Sequence, residues 1–256
     1  MKITFLGVAG ALSTEYNSNI IIENGKDVML FDCGEDVMHS FKASGRKPKE
    51  LTDVYISHLH SDHSFGLGWL GFYSYFVMKK RLTLHIHESM VSDLWAMLRP
   101  AMEKINGQEM VTLDEYFNIL PFEDKKVVVG SFSFDPVKQL HVRTPHGNMY
   151  SYGAVFMSSF LNGKYWEPDL TSNKIFISSD TQYPRIPDYS YEYLFCDCDV
   201  MDLGGVHVEY RHLNKLDRNI KKKMWLYHYH DLGDNMPDAV KDGFAGFVKQ
   251  GQIFEI

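Results

Sequence analysis

Cysteine is scarce in this chain. Three residues, Cys33, Cys196 and Cys198, among 256 positions are too few and too unevenly spread for a disulfide framework. A reducing, cytoplasmic compartment is the expectation that follows. Long apolar runs are lacking too: no stretch reaches the roughly 18 consecutive apolar residues of a membrane span, so no membrane partner is expected. Positive charge is not in excess, with 26 Lys and Arg against 33 Asp and Glu and a net charge of −7. That balance speaks against a general nucleic-acid binder, which carries a basic footprint, but leaves a small phosphate ester open. Linkers, repeats and low-complexity segments are missing as well, which predicts one domain over residues 1–256. The opening stretch Lys2 to Leu12 holds one lysine and is broken by Gly7 and Gly10. It reads as a strand and a glycine turn rather than a signal sequence.

Histidine, by contrast, is plentiful at 12 residues, and three of them stand together in His58-Leu59-His60-Ser61-Asp62-His63. This cluster follows the short β-branched run Val54-Tyr55-Ile56-Ser57, which reads as a buried strand. Ligand sites in α/β proteins lie where a strand ends and a helix begins. His58 and His60, two apart in extended backbone, can point the same way. Asp62 and His63 follow where the chain turns into a helix and can aim at a neighbouring point. One loop can therefore feed two metal ions, which stand roughly 3.5–4 Å apart when they clamp a phosphoester displacement. Each ion then needs a further ligand from elsewhere in the chain.

Short strands are expected at Lys2–Gly7, Asn19–Glu23, Asp27–Asp32, Asp53–Ser57 and Arg81–His87. Later ones are expected at Lys126–Val129, Ser131–Val142, Lys174–Ser179, Tyr193–Cys196, Met224–Tyr229 and Gly251–Ile256, with a further strand starting at Ser151 and running to 158. Helical spacing predicts helices at Gly34–Ala43, His63–Met78, Glu88–Ile105 and Arg211–Lys223. A shorter helix at Thr112–Asn118 would open on Thr112 and Glu115 as a capping box. Strands followed by helices, twice over, predict an α/β fold of two facing mixed sheets with helices outside. The aromatic helix at 63–78 and an insertion at 76–120 suggest a homodimer, the insertion capping a neighbour's pocket.

The missing ligands are sought at strand ends. His141 ends one strand, Asp180 follows another, and His228 closes a third. His141 would complete the first ion's shell and His228 the second's. Asp180 would bridge both, offsetting the repulsion between two dications. His146 is an alternative to His141, and His230 to His228. His85 and His87 share a strand face without an acidic partner nearby except Glu88.

The set His58-x-His60-x-Asp62-His63, a later histidine, Ser179-Asp180-Thr181 and a late histidine resembles the metallo-β-lactamase superfamily along the whole chain. That resemblance implies an αβ/βα sandwich with metal ions at one edge of the sheets. Asp62 alongside the other ligands, and Ser151-Tyr152-Gly153 after His141, resemble the ribonuclease Z branch, whose members cleave phosphodiesters. Val206-His207-Val208-Glu209 stands where that branch has a histidine that protonates the leaving oxygen, which implies catalytic roles for Asp62, His207 and Glu209. Asp197 or Glu209 would orient His207. Only residues 159–173 separate two strands where ribonuclease Z carries its tRNA-gripping arm. The tail around Lys222–Tyr229 and Gly243–Val248 is similar to a bacterial and phage group without that arm, the anti-Pycsar phosphodiesterases. The resemblance implies hydrolysis of a 3′,5′-cyclic mononucleotide with two divalent ions, Zn2+ first and Mn2+ second. It leaves a tRNA 3′-processing nuclease and an ester or lactone hydrolase as alternatives.

Overall fold

Strands that are apolar at every position mark a sheet covered on both faces, and Ile20-Ile21-Ile22 is one. In the computed structural model, which describes residues 1–105, 107, 110–157, 174–187 and 190–256, Ile20 and Ile22 face one hydrophobic layer and Ile21 another. The described strands form two seven-stranded sheets. In chain order they are β1 (Lys2–Phe5), β2 (Ile20–Asn24), β3 (Asp27–Phe31), β4 (Asp53–Ile56), β5 (Leu82–His87), β6 (Phe117–Phe122) and β7 (Val127–Val129). There follow β8 (Phe132–Thr144), β9 (Gly147–Met157), β10 (Lys174–Ile177), β11 (Tyr191–Asp197), β12 (Met224–Tyr227), β13 (Gly246–Phe247) and β14 (Ile253–Glu255). One sheet runs β14-β1-β2-β3-β4-β5-β6, the other β13-β12-β11-β10-β9-β8-β7. The last strand returns to the first sheet beside β1, pairing Phe254 with Ile3.

Between the sheets lies an aromatic core that includes Phe5, Phe31, Tyr55, Phe134, Phe156 and Phe195. The outer face of the first sheet is covered by α1 (Val37–Ser44), α3 (Leu67–Phe72) and α4 (Val91–Met102), through Phe41, Leu70 and Leu98 among others. The short α2 (Ser61–Ser64) precedes α3 in the loop that holds His58 to His63. On the outer face of the second sheet, Leu213 from α5 (Tyr210–Leu213) and Phe244 pack on Phe176 and Leu226. A further short helix, α6 (Arg218–Lys221), lies just before β12. The layers are therefore helix, sheet, sheet, helix, as the sequence predicts.

Several elements differ from expectation. Thr112–Asn118 is not a helix: only Leu113–Glu115 makes a 3-10 turn, and Phe117 opens β6, paired in parallel with Leu82 of β5. Thr112 directs its hydroxyl to Asp114 instead of capping that turn. The 76–120 stretch is no appended insertion, because β5, α4 and the start of β6 belong to the first sheet and its covering layer. The 63–78 helix is broken into α2, α3 and a π-helical turn at Tyr73–Met78 that ends on Lys79 with φ 54°. Arg211–Lys223 divides into α5 and α6, with Asp217 capping the second through the Asn219 amide at 2.7 Å. The expected strand end at 158 and the 159–173 separation lie outside the described residues. No described helix is long and apolar enough to cross a membrane.

The topology gathers chemistry at one edge. β3 and β4 are parallel neighbours in the first sheet, and β10, β11 and β12 in the second. Their carboxyl ends lead directly to Asp32, Ser57, Ser178, Asp197 and His228. The two sheets are tied there, where the Tyr152 amide donates to Ser57 O and the Tyr55 hydroxyl to Tyr152 O, each at 3.0 Å.

Candidate metal centre

Seven side chains meet around one oxygen. Asp180 Oδ2 lies 3.6 Å from His58 Nε2, 3.6 Å from His141 Nε2, 3.2 Å from His63 Nε2 and 3.4 Å from His228 Nε2. His60 Nδ1 stands 3.2 Å from His58 Nε2 and 3.0 Å from His141 Nε2. On the other side, Asp62 Oδ2 is 3.3 Å from His63 Nε2 and 3.5 Å from His228 Nε2. Two tetrads result: His58, His60, His141 and Asp180, then Asp62, His63, Asp180 and His228, each with its donor atoms within 4.8 Å of one another.

The backbone explains how residues so distant in sequence aim at one point. His141 sits where the β8–β9 register shifts, opposite neither Tyr150 nor Met149. A bulge of this kind re-aims a side chain. Asp32, Ser179 and His228 each follow a strand with positive φ, at 62°, 54° and 60°, a conformation that costs a non-glycine residue energy and clusters at functional sites. Gly10 leaves room for the His228 ring, since a Cβ there would stand 3.1 Å from Nε2.

A second ring of contacts sets each imidazole's tautomer. The Ser57 hydroxyl donates to Asp32 Oδ2 at 2.9 Å, so His58 Nδ1–H donates to Ser57 Oγ at 3.0 Å. His63 Nδ1–H donates to the same Asp32 oxygen at 2.8 Å. His141 Nδ1–H donates to Val206 O at 2.9 Å, and His228 Nδ1–H to Ser18 Oγ at 3.0 Å. All four Nε2 lone pairs therefore face the centre. His60 presents Nδ1 instead.

Electrostatics agree with the tautomers at every histidine but His63. Burial keeps His58, His60 and His228 below the usual imidazole range and His141 down at about 4. Burial opposes the charged forms of Asp62 and Asp180 too, but neighbouring histidines hold both below the usual carboxylate range. Without an ion, His63 bears the compensating charge: Asp180, Asp62 and Asp32 raise it well above an ordinary imidazole, against the pull of burial.

Divalent ions fit this centre. Neutral imidazoles and ionised carboxylates are ligands of zinc and other first-row metals. Ligand atoms about 2.1 Å from a tetrahedral ion stand about 3.4 Å apart; the pairs named above stand 3.0 to 3.6 Å apart, and all pairs within a tetrad lie within 4.8 Å. His63 Nε2, His228 Nε2 and Asp180 Oδ1 are buried without a hydrogen-bond partner among the described residues, a state that otherwise costs free energy.

His207 stands beside both tetrads. Its Nδ1 lies 3.0 Å from Asp197 Oδ2 and 3.8 Å from Asp180 Oδ2. Burial works against its charged form, but Asp197 and Asp180 raise it to about 10. Asp197 is in turn held by the Thr181 amide at 2.9 Å. Glu209, expected to act in catalysis or to orient His207, turns its carboxylate instead to Arg211 at 2.6 Å and His212 at 3.3 Å. Its backbone bridges Asp199, so it belongs to the base of the loop rather than to the reacting groups.

Of the alternatives, His146 lies exposed at the tip of the β8–β9 hairpin, and His230 lies outside both tetrads. His85 pairs with Asp53 at 2.7 Å and His87 stacks on Tyr152. Neither joins a potential ligand group among the described residues. Sequence reasoning missed Asp32, Ser57 and Ser18. Asp32 carried a readable signal, an acid at the end of an apolar strand, whereas nothing local marks the two serines.

The family model for "Anti-Pycsar protein Apyc1" matches residues 1–254. A protein of Bacillus phage 010DV004 with that description is 28% identical over 269 residues, spanning 99% of this chain and 98% of its own. Another, from Paenibacillus harenae, is 26% identical over 262 residues and spans 100% of both. Among solved structures, the metallo-beta-lactamase fold protein YhfI of Bacillus subtilis superimposes with a TM-score of 0.71 at 20% identity, over 99% of this chain and 98% of that one.

Proposed function

The chain belongs to the Anti-Pycsar protein Apyc1 family and has the metallo-β-lactamase fold, and from that premise we propose that it is a metal-dependent phosphodiesterase opening a small 3′,5′-cyclic nucleotide to the nucleoside monophosphate. The observation that carries this reading is the convergence of two ligand tetrads on Asp180 Oδ2, with His207 at their shared edge. Bound there, a pair of divalent ions, Zn2+ or Mn2+, supplies Lewis acidity toward water and phosphate oxygens.

The chain's own residues do the rest. His58, His60 and His141 would hold one ion and Asp62, His63 and His228 the other, with Asp180 available to both. Asp32, through Ser57 and directly, keeps two of the histidines in the right tautomer. Asp197 fixes the His207 ring through Nδ1, which leaves Nε2 to deliver a proton. Water adds to phosphorus and gives up one proton to solvent, the bond to the ribose oxygen breaks, and His207 protonates that oxygen as it leaves and is then recharged from solvent. Asp197 stabilises the imidazolium before the transfer.

A net charge of −7 favours a small substrate over RNA. The test is the purified, metal-supplied chain incubated with cyclic nucleotides, a precursor tRNA, bis-p-nitrophenyl phosphate and an acyl ester, and followed by chromatography. Conversion of a cyclic nucleotide to its monophosphate, with the tRNA and acyl ester intact, is expected. Cleavage of the tRNA alone, or of the acyl ester alone, would contradict the proposal.

A further inference from the structure

We propose that two loop tips beside the metal centre, carrying Leu12 and Leu203, form a subsite for the heterocyclic base of the nucleotide. This rests on the phosphodiesterase reading given above. A cleft of about 150 Å³ opens between the loop after β1 and the loop after β11. Leu12, Leu203 and Val206 line its sides, and His207, His228 and His230 line it toward the metal centre. Single exposed leucines are ordinary on protein surfaces. Here Leu12 is 79% exposed, Leu203 58% and Val206 37%, and all three border the same cavity.

What fills such a cleft is set by its neighbours. A phosphate held between the metal centre and His207 places whatever is attached to it next to these walls. A cleft of this size has room for one ring system and not for a run of nucleotides. Apolar walls with few polar groups suit the flat face of a base. One polar group is on hand: His230 Nε2 is buried without a hydrogen-bond partner among the described residues, and it lines this cleft. It stands ready for a polar atom of the base edge or sugar.

The Leu203 wall is held in place before any ligand arrives. Asp199 accepts hydrogen bonds from the amides of Met201 at 2.7 Å and Leu203 at 2.9 Å. The loop's base is closed by the Asp199 amide on Val208 O and the Tyr210 amide on Asp199 O, each at 2.8 Å. At its far end Val206 O receives the His141 imidazole. One loop thus carries a base-facing wall, orients a metal ligand and presents His207.

Wild type and the double variant Leu12→Ala/Leu203→Ala are compared, both metal-supplied and both checked for an unchanged circular dichroism melt. KM and kcat are measured on a cyclic nucleotide and on base-free ribose 3′,5′-cyclic phosphate, and the Kd of a nucleoside monophosphate by calorimetry. Removing two apolar contacts should raise KM for the cyclic nucleotide and the Kd of the monophosphate about tenfold or more. KM for the base-free ester should stay within about twofold, since phosphate and ribose contacts are untouched. Equal changes on both esters, or an unchanged Kd for the monophosphate, would overturn the subsite. If wild type turns over neither ester, the phosphodiesterase reading fails, and the calorimetric comparison still decides whether these leucines meet a base.

Discussion

Asp32→Asn separates a role in metal binding from a role in packing. Asparagine tolerates the left-handed backbone that Asp32 adopts at φ 62°, and its oxygen can still accept the Ser57 amide now bonded at 2.8 Å. Its NH2 group then replaces the oxygen that receives His63 Nδ1–H and the Ser57 hydroxyl. A donor there favours the His63 tautomer with its proton on Nε2, the atom that faces the metal, and reverses the Ser57–His58 relay. Loss of such orienting contacts typically weakens metal affinity by about 10–100-fold. At saturating metal that removes about 1.4–2.7 kcal/mol of ligand-linked stability, or roughly 3–10 °C in Tm for a domain of this size. Calorimetry of wild type and variant, each with metal and with chelator, reads the effect as the metal-dependent part of Tm. A shortfall in that part is expected in the variant. An equal drop with and without metal would show that Asp32 only supports packing, and the tautomer relay would be wrong.

Asp180→Ala removes the one oxygen common to both tetrads, so bound metal should fall well below that of wild type by elemental analysis, with activity lost. His207→Ala should keep its metal content yet lose about 10²–10⁴ in kcat, the range typical of a lost general acid; full turnover would remove His207 from the mechanism. Phe195, which packs on Phe5 at 5.1 Å and Phe254 at 4.8 Å between the sheets, should cost about 3–5 kcal/mol when cut to alanine, read by denaturant unfolding with the ions removed.

The strand ends were legible because ligand chemistry and strand patterning coincide at them. His58 to His63, Asp180 and His228 all follow short β-branched or apolar runs, and the parallel strands lead to one edge of the sandwich. Four kinds of feature were hidden. Thr112–Asn118 carries local helix signals, but pairing of Phe117–Phe122 with β5 overrides them. The choice of Asp197 over Glu209 as the partner of His207 depends on the loop's closure at Asp199, between residues too far apart in sequence for local pattern to register. Ser18 and Ser57 act only through what the fold sets beside them. The cleft at Leu12 and Leu203 joins loops nearly two hundred positions apart, and no periodicity reaches across that gap.

In the proposed function, seven side chains would hold a pair of divalent ions around one carboxylate oxygen. Anomalous diffraction from crystals grown with zinc or manganese tests it most directly. Two peaks are expected on either side of Asp180 Oδ2, roughly 3.5–4 Å apart, one against His58, His60 and His141 and the other against Asp62, His63 and His228. No peak at this edge of the sandwich, or a single ion that leaves one tetrad without metal, would contradict it.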